Sequence, residues 1–297
     1  MASHGILLVD KPAGLTSHDV VARVRRAFGT RKVGHAGTLD PMATGLLVIG
    51  IEGATRLLTY IVGADKTYTA TIRLGARTTT DDAEGDTVDT ADAEDWASVD
   101  DEAVLAGIQN LTGTIAQVPS SVSAIKVAGK RAYDLVRAGE SVELAARQVT
   151  VSRFDVLSQR RTEGFLDLEV IVDCSSGTYI RALARDLGDA LGVGGHLTAL
   201  RRTRVGGFEV TDAVGIDALE GAATLTPAAA ATRVMPALEV TAEEARDLRH
   251  GKRLAGQRDR LGAAEVAAID PDGILVGILE ARGHDIKSAM NMPEAQA

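Results

Sequence analysis

The 297 residues, 45% of them hydrophobic, are enough to bury a full core and to make one large domain plus a small one. A single cysteine, Cys174, excludes an internal disulfide and a cysteine-based zinc site. A formal charge of −9 excludes a uniformly basic surface, so any grip on nucleic acid has to come from local patches.

Gly5 to Val9 reads as a short strand, and Ser17 to Phe28 as an amphipathic helix capped by Thr16 or Ser17 and stopped at Gly29. The start, Met1 to Gly5, lacks a basic region followed by a long apolar segment, so no signal peptide is expected. No apolar run approaches the roughly 20 residues of a membrane span, and a soluble, cytoplasmic protein is expected. A glycine-broken loop then carries Asp40 directly before Pro41, and Leu46 to Ile51 reads as a buried strand. The residue before a proline is pushed towards extended geometry, and Gly34 and Gly37 permit tight turning or close approach by another molecule. A carboxylate on a polar loop anchored to a core strand can serve as a catalytic platform. The residues alone favour the blander reading of a turn with a helix-capping aspartate.

A helix is expected around Ala54 to Val62. Lys66 to Leu74 alternates as a half-buried strand, with Tyr68, Ala70, Ile72 and Leu74 on one face. From Asp81 to Glu102 eleven acidic residues occur with no Lys or Arg, which suggests a solvated insertion, partly mobile. Without those eleven carboxylates the charge of −9 becomes +2. Basic residues gather at Arg23, Arg25, Arg26, Arg31 and Lys32, at Arg147 and Arg153, at Arg160 and Arg161, and at Arg201, Arg202 and Arg204. Such clusters suit phosphate contacts, although helix faces are often basic for solubility alone. Asp101 to Leu111 and Gly129 to Ala138 read as helices, and Gln148 to Leu157 and Phe165 to Cys174 as an antiparallel pair joined by the polar stretch Ser158 to Gly164. Thr178 to Leu191 is expected to be helical, and Ala218 to Ala231 to be helix or linker. After Met235-Pro236, a capping box at Thr241 to Glu244 starts a helix that Gly251 ends. Strands at Glu265 to Ile269 and Ile274 to Glu280 then flank the turn Pro271-Asp272-Gly273. The fold class is α+β, a mixed, largely antiparallel sheet flanked by helices.

The stretch Gly34-His35-Ala36-Gly37-Thr38-Leu39-Asp40-Pro41-Met42-Ala43-Thr44-Gly45-Leu46-Leu47 resembles the catalytic motif of the TruB family of tRNA pseudouridine-55 synthases. Lys11-Pro12-Ala13-Gly14-Leu15-Thr16-Ser17 is similar to the family's amino-terminal motif. Further similarities follow in order at Asp65 to Tyr68, Ser176 to Arg181 and Leu200 to Thr203. The resemblance implies a pseudouridine synthase catalytic domain over residues 1–233, with the acidic insertion at about 81–102. Residues 234–297 more loosely resemble a small PUA-like RNA-binding domain, with a packing appendage as the alternative.

The activity implied is isomerisation of uridine 55 in the T-loop of tRNA. The glycosidic bond breaks, the base turns, and ribose rejoins at carbon 5, with no redox change and no hydrolysis. Neither cofactor nor metal is demanded, and the sequence has no phosphate-binding glycine loop and no His pair at helical metal spacing. By resemblance Asp40 is the essential carboxylate, acting as nucleophile or base. The residues leave open attack on the base, attack on the sugar and abstraction of a ribose proton. Arg181 is the candidate partner that keeps Asp40 ionised; an ordinary surface arginine at a helix start is the alternative. Tyr68 takes the place of the family tyrosine that stacks on the target base, and Tyr179 that of a second active-site tyrosine; both could otherwise fill cores. His35 is implied to occupy the space left by the flipped uridine or to pack against it, with a solvated loop histidine as the alternative. Lys66 is implied to lie near the substrate backbone and Asp82 in a polar network around the flipped region, both equally readable as surface charges, and Leu200 with Arg202 to close the pocket wall.

The expected partner is the tRNA T-arm, bound through shape and backbone by the clusters around Arg23 and Arg201, with the protein a monomer and the acidic stretch outside the RNA interface. An RNA-binding or tRNA-folding module is the competing reading from another class. A nucleosidase is disfavoured for want of a second catalytic carboxylate.

Overall fold

A computed structural model describes residues 4–92, 94–120, 126, 127, 130, 131 and 144–293. In its first half the elements are β1 (Gly5–Lys11), α1 (Ser17–Ala27), β2 (Val33–His35), β3 (Thr44–Ile51), α2 (Leu58–Val62), β4 (Lys66–Leu74), β5 (Ala76–Thr78), β6 (Thr87–Thr90), α3 (Asp101–Asn110) and β7 (Gly113–Gln117). Then come β8 (Lys126–Val127), β9 (Lys130–Arg131), β10 (Arg147–Thr162), β11 (Phe165–Cys174), α4 (Ile180–Ala190), β12 (Gly195–Val205), β13 (Phe208–Glu209) and β14 (Val214–Gly215). The C-terminal segment adds α5 (Pro227–Ala231), β15 (Ala237–Glu239), α6 (Ala242–Arg249), β16 (Val266–Ile269), β17 (Leu275–Arg282) and β18 (Asp285–Asn291). The helix expected over 129–138 lies outside the described residues, apart from Lys130 and Arg131, which pair with β8. Two compact units result, one of Met1–Pro41, Gly45–Ala64 and Arg204–Ala297, the other of Met42–Thr44 and Asp65–Thr203.

In the first unit β1 pairs antiparallel with β3 and parallel with β14, and β2 pairs antiparallel with β3. The apolar run of β1 is buried on both faces. Ile6 and Leu8 join Leu46, Val48 and Leu57 in one core, whereas Leu7 and Val9 join Leu47, Ile49 and α1 residues Val20, Val21 and Val24 in another. Thr16, not Ser17, caps α1: its hydroxyl accepts from Asp19 N and the Asp19 carboxylate accepts from Thr16 N. The C-terminal segment forms its own sheet in the order β15-β16-β17-β18. One face packs under α6 through Ala245, Leu248, Val276 and Leu279, and the other, with Ala267, Leu275 and Ile278, enters the core of Ile6 and Leu8. The expected capping box at Thr241 and Glu244 is present. The stretch read as helix or linker holds only the five-residue α5, begun by the Thr226 cap and Pro227.

In the second unit β4 pairs antiparallel with β11, β11 with β10, and β10 with β7, and β12 borders β4. The burial of β4 alternates as expected, with Tyr68, Ala70, Ile72 and Leu74 inward. The stretch Ser158 to Gly164 is largely strand rather than loop, since β10 runs to Thr162 and pairs it with Phe165. Helix α4 approaches β12 closely: a Cβ on Gly188 would lie 2.1 Å from the Gly194 carbonyl carbon, so no larger residue fits there. The acidic stretch also differs from a purely solvated insertion. Residues 86–90 are exposed, but Asp82 is buried, Asp100 caps α3, and Asp101 accepts from the Gln159 amide at 3.0 Å.

Candidate active site

The proposed site residues fall in both units, and each unit builds its own group. In the first, the sequence places a lysine, Lys11, at the end of β1, and the fold buries it completely. A buried ammonium is costly unless its donors are satisfied. Here Nζ donates to the carbonyl oxygens of Pro12 (3.0 Å), Leu15 (2.7 Å) and Pro41 (3.1 Å). Gly14 N also donates to Pro41 O at 2.8 Å. On the other side of Asp40, Ser17 Oγ donates to Leu39 O (3.1 Å) and accepts from Leu39 N (2.9 Å). Both neighbours of Asp40 are thus tied to residues 11–17, which makes one device of two separated motifs. Ala36, Leu39 and Ala43 are buried anchors of the loop, and Gly37 turns it at φ +91°. Asp40 itself is half-buried. His35 ends β2, its ring edge-to-face with His18 at 5.6 Å between centroids.

The second unit holds the other residues. Lys66 and Tyr68 lie on the inward face of β4, and Leu200 and Arg202 on the inward face of β12, all four buried. Thr203 Oγ1 donates to Thr67 O at 3.3 Å, tying the two strands. Lys66 is 6% exposed, and burial first, then the positive charge of Arg202, pushes its pKa down to about 8.

Arg181 opens α4, and its guanidinium, 4% exposed, donates to Thr80 O at 2.8 Å and stands 3.5 Å from Asp82 Oδ2. Asp82 is 3% exposed; its Oδ1 accepts from Thr80 Oγ1 (2.5 Å) and Glu84 N (3.0 Å). One turn further along α4, Arg185 donates to Asp81 Oδ2 at 3.3 Å and to Val118 O at 2.7 Å. Asp81 has φ +59°, a conformation that Asp adopts more readily than most residues. The first two carboxylates of the acidic run are therefore counterions for two arginines of α4. Tyr179 precedes the helix, and the Gln117 side chain holds its backbone from both sides.

Sequence reasoning missed Gln117, Thr80 and Arg185, and it had Lys11 and Ser17 only as the ends of a motif, Ser17 also as a helix-cap candidate. A lysine directly after an apolar strand run was the one available signal. Among the described residues, no group of three or more His, Cys, Asp or Glu could hold a metal ion, and no helix is long and apolar enough to cross a membrane.

Residues 25–180 match the model of the TruB family pseudouridylate synthase N-terminal domain. Residues 181–239 match a tRNA pseudouridylate synthase B C-terminal domain, and residues 235–293 a tRNA pseudouridine synthase II C-terminal domain. The chain is 60% identical over 296 residues to tRNA pseudouridine synthase B of Leifsonia xyli subsp. xyli, covering 99% of this chain and 98% of that protein. It is 57% identical over 281 residues to the protein of the same name from Corynebacterium efficiens, covering 94% and 93%. Among solved structures, an H/ACA RNP bound to a substrate RNA containing 2′-deoxyuridine aligns with a TM-score of 0.72 at 23% identity, covering 97% of this chain and 85% of that one. The archaeal box H/ACA sRNP Nop10-Cbf5 complex aligns at 0.71 and 24% identity, covering 98% and 87%. These two likenesses speak to the fold, whereas the family models and the curated relatives, read together with the pinned Asp40 loop, make the chain a member of the TruB family of pseudouridylate synthases.

Proposed function

We propose that this protein is a tRNA pseudouridine synthase that isomerises uridine 55 in the T-loop of tRNA, with Asp40 as the reacting carboxylate. The observation that carries the reading is the double tether of Leu39 and Pro41 to Ser17 and Lys11, which fixes the backbone on both sides of that aspartate. Preorganisation of this kind is what a reacting group needs.

Uridine leaves the stack at a cost of a few kcal/mol, less where the RNA already has a folded loop. Tyr68 offers a face for the flipped base and helps remove the proton at carbon 5. Arg181 serves the reaction as a fixed positive charge, and His35, Lys66, Asp82, Tyr179, Leu200 and Arg202 bind the substrate. The bond from ribose C1′ to uracil N1 breaks, a bond from C1′ to C5 forms, the C5 proton passes to solvent, and N1 takes up a proton in its place. Atoms and electrons balance without cofactor or metal.

Residues 1–233 form the catalytic domain and 234–297 the PUA-like RNA-binding domain. The protein acts as a cytoplasmic monomer on the T-arm, gripped through the clusters around Arg23 and Arg201. Arg23, Arg25 and Arg26 lie exposed on α1, which supports that role.

The test is tritium release from tRNA carrying carbon-5-labelled uridine, with a chelator present. Release by the natural chain, abolished in Asp40→Asn, is expected. Tight tRNA binding without release would replace this reading with an RNA-binding module, and free uracil would replace it with a nucleosidase.

A further inference from the structure

We infer that Gln117 is a positioning residue for this reaction, holding the backbone of Tyr179 and thereby the start of the helix that carries Arg181. The inference rests on the function proposed above.

Gln117 ends β7 and is 1% exposed. Its Nε2 donates to Tyr179 O at 3.1 Å, and its Oε1 accepts from Tyr179 N at 2.8 Å. One side-chain amide thus satisfies both backbone groups of a single residue, as a neighbouring strand would do. Tyr179 occupies the cap position of α4 with extended backbone (φ −102°, ψ 108°), and its own side chain makes no capping hydrogen bond. The usual device for fixing a helix start is therefore replaced by Gln117. The next residue takes part as well, since Val118 O accepts from Arg185 at 2.7 Å. The end of β7 grips α4 at its start and again at Arg185, while Thr80 to Asp82 hold the two arginines of that helix.

Burying a primary amide is unfavourable where packing alone is wanted, and leucine or methionine would fill the same space without that penalty. What leucine lacks is the donor and acceptor set side by side. A glutamic acid in its neutral form has both; a glutamate carboxylate has only acceptors and faces the Tyr179 carbonyl unfavourably. Burial and that carbonyl raise the pKa of a glutamate placed there above the ordinary value of about 4.3. The variant Gln117→Glu is therefore a pH-operated version of the natural clamp.

The experiment measures kcat and KM for tritium release by the natural chain, Gln117→Glu and Gln117→Leu between pH 5.5 and 8.5, with melting temperature and circular dichroism at each pH. At pH 8.5 both variants are expected to lose about 10- to 100-fold in kcat, the scale of a small misplacement of a catalytic group, with KM little changed. The ratio of Gln117→Glu to the natural chain should then climb about tenfold or more towards pH 5.5, and that of Gln117→Leu should stay low. A ratio for Gln117→Glu that is flat in pH overturns the inference, as does full kcat in Gln117→Leu. So does a loss that follows melting temperature and vanishes when the assay is cooled. If Gln117→Leu does not fold, the pH ratio of Gln117→Glu decides alone. If the natural chain releases no tritium, the proposed function falls, an outcome separate from any of these.

Discussion

The loop around Asp40 and the start of α4 solve one problem, holding a polar group still, in opposite ways. The loop is held by short-range tethers: the Lys11 ammonium donates to three backbone carbonyls and the Ser17 hydroxyl makes a reciprocal pair with the Leu39 backbone, all within residues 11–41. The start of α4 is held by long-range side-chain tethers: its two arginines reach the Thr80 and Val118 carbonyls and the Asp81 and Asp82 carboxylates, and the Gln117 amide holds Tyr179. Short-range tethers need particular turns at fixed spacing, so they show in the sequence as contiguous motifs. Long-range side-chain tethers need only one suitable group at the right place, and they leave no pattern.

Removing the centre of the short-range device should have the largest effect. Lys11→Met leaves three carbonyls facing an apolar chain, and each lost hydrogen bond to a charged donor is worth about 1.5 to 3 kcal/mol. Urea unfolding is expected to show a loss of about 3 kcal/mol or more, and kcat should fall at least as far as in any Gln117 variant. A Lys11→Met enzyme with natural kcat would show that the loop holds its shape without the ammonium, and the contrast drawn above would fail.

Asp82→Asn comes next, because it breaks the side-chain device while keeping an oxygen for Thr80 and Glu84 N. The Arg181 charge then stays buried with less compensation, and losing one partner of a buried pair costs about 3 to 5 kcal/mol in fully desolvated cases. The longer separation of 3.5 Å and the remaining bond to Thr80 O place the expected loss at the low end. A cycle with Arg181→Met measures it: if the two changes add without coupling, Asp82 is no counterion for Arg181.

The same contrast explains what could be read beforehand. The strand β3, helix α1, the alternation of β4 and the loop between were legible because apolar period and turn residues agree locally. Strand β10 was read short because Ser158 to Thr162 carry no apolar alternation. That stretch is held by Arg160 on Asp167 at 3.0 Å and by Arg161 stacked 5.4 Å from the Trp96 ring, partners the local sequence does not announce. Strand β18 went unread for a related reason, since Ile286 is its one buried residue. Among site residues, Asp40 stood out through its glycines and proline, whereas Gln117 is a polar residue at a strand end like many others. The acidic run misled by composition, because its count says nothing of the two members, Asp81 and Asp82, that turn towards α4. Deleting 81–102 should therefore cost activity through lost counterions, whereas replacing only the exposed Asp86 and Asp89 with Asn should spare tRNA affinity.

A site outside both devices provides the control. Arg73 makes two hydrogen bonds to Asp167, 2.7 and 2.8 Å, and together with Arg160 holds that carboxyl below its ordinary range. A carboxyl with a depressed folded pKa lends stability that is present above its unfolded pKa and lost as pH falls through the folded one. Arg73→Met should move acid unfolding to higher pH and leave kcat at pH 7.5 unchanged. A kcat change there would mean that sheet strength, and not the two local devices, governs activity.

The last effect is that of Lys66, and its sign separates it from every carboxylate. Burial and Arg202 bring its folded pKa to about 8, against 10.5 for an unburied lysine. Between those two values the unfolded chain binds more protons than the folded one, so stability rises with pH across that interval. Below it both states are protonated, and the full cost of burying the charge is borne. Lys66→Met removes the titration. Its melting temperature should exceed that of the natural chain at pH 7, and the gap should narrow steadily as pH is raised from 8 to 10. A gap independent of pH would mean that Lys66 keeps an ordinary pKa in the fold. A natural chain more stable than the variant at pH 7 would mean that its buried charge is held by attraction strong enough to offset desolvation, which would make β4 a side-chain device of the same kind as α4.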